Sequence, residues 1–184
     1  MQDLTGKKVA ILATNGFEQS ELTEPRRQLA EAGAKVSVVS PETGQIRGWD
    51  ETDWGGAVPV DIALGDATVD DYDALVLPGG QINPDILRAN EKAVAFVRDF
   101  RRTGKPLAAI CHAPWILIEA DLVDGRRMTF YHSIRKDVMN AGATWVDEPV
   151  VTDDGLITSR NPGDLDAAFS SKIAEEINER PHRV

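Results

Sequence analysis

Apolar residues along this chain alternate between short unbroken runs and stripes at helical spacing. Val9 to Ala13 is such a run, closed by Thr14, Asn15 and Gly16, and Leu22, Arg26, Leu29 and Ala32 follow at helical intervals. This pattern predicts a strand from Lys8, a loop, and a helix stopped at Gly33, with valine-rich Lys35 to Ser40 as a second strand. Residues 41–73 hold Gly44, Gly48, Gly55, Gly56, Gly65 and many acids, with Val58 to Ile62 as the one convincing strand. Irregular structure or a short hairpin is expected there.

Ala74 to Leu77 is the next buried-strand run, closed by Pro78, Gly79 and Gly80, and Ala93, Phe96, Val97 and Phe100 define an amphipathic helix ending near Gly104. Pro106 to Ile110 is apolar throughout, as a strand covered on both faces must be, and Cys111 stands at its carboxyl end before a helix-like run from Pro114 to Ala120. Met128 to Tyr131 is a candidate strand and Ile134 to Asn140 a helix. Val150 to Thr152 and Leu156 to Ser159 are strands joined by Asp153, Asp154 and Gly155, and Leu165, Phe169, Ile173 and Ile177 mark a closing helix. Strands alternating with helices give an α/β fold, a three-layer sandwich with a mostly parallel central sheet, as a single domain over residues 1–184.

Ligands of such sheets sit beyond the carboxyl ends of the strands. Asn15 to Glu18, Gly79 to Gln81 and Cys111 to His112 therefore converge on one edge.

Charge narrows the partners. Thirty acidic against twenty basic residues leave a formal net charge of −10, so nucleic acid and anionic membrane are not expected as partners. The amino terminus has no signal-peptide core, and no stretch approaches the roughly 18 apolar residues of a membrane span, which together with the single cysteine suits a reducing, cytoplasmic setting. His112, His132 and His182 are scattered without ligand spacing, so no metal is expected and no cofactor is implied. His182, in a polar tail, reads as solvated. Trp49, Trp54, Trp115 and Trp145 read as core or interface anchors.

The sequence Ala109-Ile110-Cys111-His112-Ala113-Pro114 has the form of a nucleophile elbow: small neighbours two positions to either side allow a tight strand-to-helix turn, and the helix amino end favours a thiolate. His112 is open between facing the thiol, capping the helix and pairing with a carboxylate. Glu18 reads alone as a solvated or capping residue, but the fold brings its loop beside Cys111, where carboxyl and thiol are comfortable only by sharing a proton. Backbone amides at Gly79 and Gly80 join that of His112 as an oxyanion-hole candidate, with Tyr131 and His132 as further candidates for the pocket.

Phe17-Glu18, Leu75 to Gly80, Ala109 to Trp115 and Ile157 to Pro162 followed by Asp164-Leu165, in that order, resemble the PfpI-type intracellular cysteine protease family. That family belongs to the superfamily of the Parkinson-associated protein deglycase, with a class I glutamine-amidotransferase-like fold, and the resemblance runs from Lys8 to Ile177. It implies a flavodoxin-like sheet, a homodimer or hexamer, Cys111 as nucleophile and Glu18 hydrogen-bonded to it. It also implies that His112 pairs with an acid of the neighbouring subunit, for which Asp85 is the nearest match. The segment Gln81 to Asp85 is one residue longer than the family's and carries the shorter acid.

The expected activity is that of a cysteine-dependent stress-response enzyme acting on small aldehydes such as methylglyoxal, or on glycated protein side chains. Peptide hydrolysis by the same nucleophile is the alternative, and a non-catalytic redox sensor or chaperone is a third reading. An amidotransferase would need an ammonia-accepting partner domain.

Overall fold

The runs Ala74–Leu77 and Leu107–Ile110 are buried at every position, the signature of strands packed on both faces. In the computed structural model, which describes residues 1–179, both are inner strands of a seven-stranded sheet. His182 lies outside the described residues. In chain order the elements are β1 (Lys8–Leu12), β2 (Phe17–Glu18), α1 (Gln19–Glu31), β3 (Lys35–Ser40), β4 (Gln45–Asp50), β5 (Asp53–Pro59), β6 (Ile62–Ala63), β7 (Ala74–Leu77), α2 (Ile82–Arg88) and α3 (Glu91–Arg102). There follow β8 (Leu107–Ile110), α4 (Pro114–Glu119), β9 (Arg127–Met128), α5 (Arg135–Asn140), β10 (Thr144–Trp145), β11 (Val150–Asp153), β12 (Leu156–Ser159) and α6 (Ser170–Asn178). The large sheet runs β11-β12-β8-β7-β1-β3-β6, parallel in every pairing except β11 with β12.

Alternate residues of the inner strands feed two separate cores. Leu12, Leu75, Leu77 and Leu107 pack with Val97 and Phe100 of α3 and Leu117 of α4 on one face. Ile11, Val76, Ala108 and Ile110 pack with Leu22 and Leu29 of α1 and with Phe169 and Ile173 on the other. The strand period of two thus sends each neighbouring pair of side chains to opposite helical layers, which gives the expected sandwich. Among the described residues no helix is long and apolar enough to cross a membrane.

The segment 41–73 is more regular than its glycines suggest. β4 and β5 form an antiparallel hairpin, and β4 pairs in parallel with β2. A Cβ at Gly48 would lie 3.0 Å from the Phe17 ring and one at Gly55 would run into the Gln19 side chain, so these glycines serve close strand packing rather than a loop. Val58 to Ile62, expected as one strand, instead spans the end of β5 and the start of β6. The strand expected at Met128 to Tyr131 stops at Met128, because the Tyr131 N–H turns to the carbonyl of Cys111 at 3.0 Å. Helix α2 went unread in the sequence, and its Asn83 ties two site loops together. Its Oδ1 accepts the Thr14 N–H at 2.8 Å and its Nδ2 donates to the Pro78 carbonyl at 2.9 Å.

Candidate active site

β8, β7 and β1 are adjacent, so the loops leaving their carboxyl ends meet. Cys111 follows β8 with φ +63°, a left-handed conformation that a side-chain-bearing residue holds at a cost of about 1–3 kcal/mol. Its N–H donates to Ser159 at 3.0 Å and the Ala113 N–H closes the turn on Ile110 at 3.0 Å. These bonds hold the turn, and the sulfur faces a cavity of about 420 Å³ lined by Glu18, Glu21, Trp49, Glu51, His112 and Tyr131 among others.

The carboxyl on the thiol belongs to Glu21, in the first turn of α1, and not to Glu18. Glu21 is fully buried; its Oε2 accepts the Gly79 N–H at 2.8 Å, and its Oε1 has no hydrogen-bond partner among the described residues. Burial, reinforced by the charge of Glu18, pushes this carboxyl up to about 8, against the pull of the Gly79 amide and the thiol, so it carries its proton at neutral pH. Glu18 sits half-buried in β2, paired to Trp49 of β4. Burial and the nearby Asp50 and Glu51 raise its carboxyl as well. The signal for Glu21 was present: Glu21, Pro25 and Leu29 repeat every four residues beside Leu22 on the buried face of α1, and an acid in such a stripe is unusual.

The thiol does not show the lowering expected from a helix amino end. Burial, followed by the charge of Glu21, pushes it well above the ordinary cysteine range, while the N–H groups of Gly80 and His112, directed at the sulfur, pull the other way. The helix behind it has only six residues, too few to outweigh burial. With Glu21 protonated its charge no longer opposes the thiolate, and the pair titrates as one unit.

His112 faces the thiol. Its Nδ1 lies 3.1 Å from Cys111 Sγ and its Nε2 lies 3.1 Å from Ser133 Oγ. The ring stacks on Tyr131 with centroids 4.8 Å apart and meets the edge of Trp115 at 5.2 Å. Burial, with a smaller contribution from His132, lowers His112 to about 4, which leaves a neutral imidazole at pH 7. Among the described residues no cluster of three or more His, Cys, Asp or Glu could hold a metal ion.

The sequence model of the DJ-1/PfpI family matches residues 7–176. The chain belongs to the DJ-1/PfpI family. One DJ-1/PfpI relative, Deglycase TK1284 of Thermococcus kodakarensis, is 48% identical over 158 residues, which cover 86% of this chain and 92% of that one. General stress protein 18 of Bacillus subtilis is 46% identical over 92% of this chain and 97% of its own. Among solved structures, a two-domain protein of Anabaena variabilis with DJ-1/ThiJ/PfpI-like and ferritin-like domains matches with a TM-score of 0.86 at 40% identity, over 92% of this chain and 47% of that larger one.

Within this DJ-1/PfpI fold, the remaining candidates separate. Gly80 has φ +82°, and a Cβ there would meet Glu18 N and Gly16 O at 2.7 Å, so only glycine brings its N–H to the sulfur. Gly79 backs the site rather than lining it. Tyr131 lines the cavity, whereas His132 is exposed, with its ring centroid 4.4 Å from that of Tyr131, and lines a second cavity of 180 Å³. Asp85 is exposed on α2 and pairs with Arg88 at 2.8 Å, away from His112 within this chain. Ser133 and Asn83 were not anticipated.

Proposed function

We propose that this chain is a cysteine-dependent deglycase that removes methylglyoxal-type adducts from arginine and lysine side chains. The observation that carries the reading is Cys111 Sγ held at a strained elbow between the Glu21 carboxyl, His112 Nδ1 and two backbone N–H donors. Sγ forms a bond to the former aldehyde carbon of the adduct as the carbon–nitrogen bond breaks, and the departing amine takes up a proton. The hydrogen on that carbon then moves to the neighbouring carbonyl carbon, giving a 2-hydroxy thioester with no external oxidant. Water cleaves the thioester to a hydroxy acid and restores the thiol. Protonated Glu21 and neutral His112 are the groups in reach to give and take these protons, and the N–H groups of Gly80 and His112 serve the oxyanion.

Glu18, Trp49 and Glu51 share the cavity wall. Carboxylates beside an indole suit a guanidinium or ammonium group, which favours adducts on cationic side chains over anionic aldehydes. Assembly into a dimer or hexamer follows the family resemblance, supported by Ile82 and Ile86, exposed one turn apart on α2. The single free thiol suits a reducing, cytoplasmic setting.

Peptide hydrolysis draws support from the His112–Cys111 contact, yet expelling an amine from a peptide calls for an imidazolium that is scarce on a histidine lowered to about 4. The test is lactate release from methylglyoxal and from methylglyoxal-treated N-acetylarginine, with casein cleavage in parallel, in wild type, Cys111→Ser and Glu21→Gln. Lactate release lost in Cys111→Ser supports the reading. Casein cleavage alone, or no turnover with peroxide adding oxygen only to Cys111, overturns it in favour of a peptidase or a redox sensor.

A further inference from the structure

We infer that Ser133 is the positioning residue for His112: its Oγ accepts the Nε2–H and holds the tautomer whose Nδ1 lone pair faces the Cys111 thiol, completing a Cys–His–Ser array within one chain. The inference rests on the proposed nucleophilic role of Cys111 and adds a residue to that site.

Proton counting at the two contacts of the ring nitrogens leads to this assignment. A thiol 3.1 Å from Nδ1 offers its hydrogen only if Nδ1 is bare, and a neutral imidazole with a bare Nδ1 carries its hydrogen on Nε2. The atom 3.1 Å from Nε2 is the Ser133 hydroxyl, which can accept that hydrogen. Ser133 reaches this place because the Tyr131 N–H is tied to the Cys111 carbonyl at 3.0 Å, so the 3₁₀ turn His132–Ile134 starts directly beside the elbow. The ring plane is set independently, by Tyr131 stacked on it and Trp115 against it, leaving the two nitrogens to fix which end carries the hydrogen.

A hydroxyl suits this ring better than a carboxylate does. A carboxylate opposite Nε2 favours the imidazolium, whereas the groups in contact with His112 are the Cys111 thiol, the Ser133 hydroxyl and the rings of Tyr131 and Trp115. A hydroxyl also serves either tautomer: with the hydrogen on Nδ1 instead, the Ser133 O–H can donate to Nε2. The acid expected from a neighbouring subunit, Asp85, pairs with Arg88 in its own helix, and a carboxylate brought to Nε2 would have to displace Ser133.

The experiment combines nitrogen-15 NMR of the His112 ring with steady-state kinetics on methylglyoxal, in wild type, Ser133→Ala, Ser133→Thr and Asp85→Ala. Wild type is expected to show the single Nε2–H tautomer. In Ser133→Ala the ring signals move toward a tautomer mixture and kcat falls about five- to tenfold with KM within about twofold, the loss of one neutral hydrogen bond; Ser133→Thr restores both. An unchanged tautomer and kcat in Ser133→Ala, or loss of kcat confined to Asp85→Ala, overturns the inference. If wild type turns over no substrate, the deglycase reading fails, and the ring tautomer together with the iodoacetamide alkylation rate of Cys111 still decides the role of Ser133.

Discussion

Glu21 and Gly79 are joined side chain to backbone, the Oε2 of the one accepting the N–H of the other at 2.8 Å, at a point where a Cβ on residue 79 would lie 2.6 Å from that oxygen and 2.7 Å from the Cβ of Cys111. One missing side chain therefore lets α1, the loop after β7 and the elbow after β8 close on a single sulfur. The carboxyl is desolvated by that closure, and the same closure aims it at the thiol.

Gly79→Ala tests this closeness. The added methyl also meets the Ile110 carbonyl at 2.7 Å, and this oxygen and the Cys111 Cβ are fixed to the backbone, so the variant is expected to lose about 1–3 kcal/mol in urea unfolding. Its Cys111 alkylation rate should change as well. Stability within about 0.5 kcal/mol of wild type would show that the loop yields.

Glu21 gives stability a pH slope of defined sign. Its carboxyl is raised from 4.5 to about 8 in the folded protein, so between those values the folded state keeps a proton that the unfolded state has released. The associated stability is complete below pH 4.5 and lost as pH rises through 8, an amount of the order of 5 kcal/mol. Glu21→Gln keeps a neutral side chain at every pH, so its unfolding free energy should gain on wild type steadily from pH 5 to pH 8. Parallel curves for the two proteins would contradict the burial of this acid.

His112 has the opposite slope on the acid side. Lowered from 6.5 to about 4, it contributes stability that is complete above pH 6.5 and lost as pH falls through 4, when the unfolded chain takes up a proton that the folded ring refuses. The amount reaches up to about 3 kcal/mol. Because Glu21 acts in the overlapping range, the comparison belongs in the Glu21→Gln background, with and without His112→Asn. The acid decline should shrink in the double variant, and turnover of the protein retaining His112 should show no inflection near pH 6.5.

The sandwich was legible because its inner strands are apolar at every position and its helices carry clean stripes, features fixed by local period and burial. Cys111 was legible for the same reason, standing where an all-apolar strand meets a proline-started helix. Glu21 was harder to see, because an acid one turn into a helix ordinarily faces water, and what marks it is the company of Leu22, Pro25 and Leu29. Ser133 and Asn83 act through contacts across 21 and 69 positions of sequence, which no local pattern encodes. The hairpin of β4 and β5 was hidden by glycines whose purpose is contact with Phe17 and Gln19.

The last prediction concerns substrate charge. Glu18 and Glu51 line the cavity together with Trp49, and the Glu18 carboxyl is raised by burial first and then by the charges of Asp50 and Glu51. A cationic group entering between them is attracted to both carboxylates and, once bound, returns Glu18 toward its ordinary range. Glu18→Gln combined with Glu51→Gln should therefore raise KM for methylglyoxal-treated N-acetylarginine about five- to tenfold while leaving KM for methylglyoxal itself within about twofold, since each exposed charge contact is worth about 1 kcal/mol or less. The difference between the two substrates should narrow as salt is raised toward about 1 M, where charges more than about 3 Å apart are screened. Equal changes for the neutral and the cationic substrate would assign these residues to the shape of the cavity and leave its charge without a role in selection.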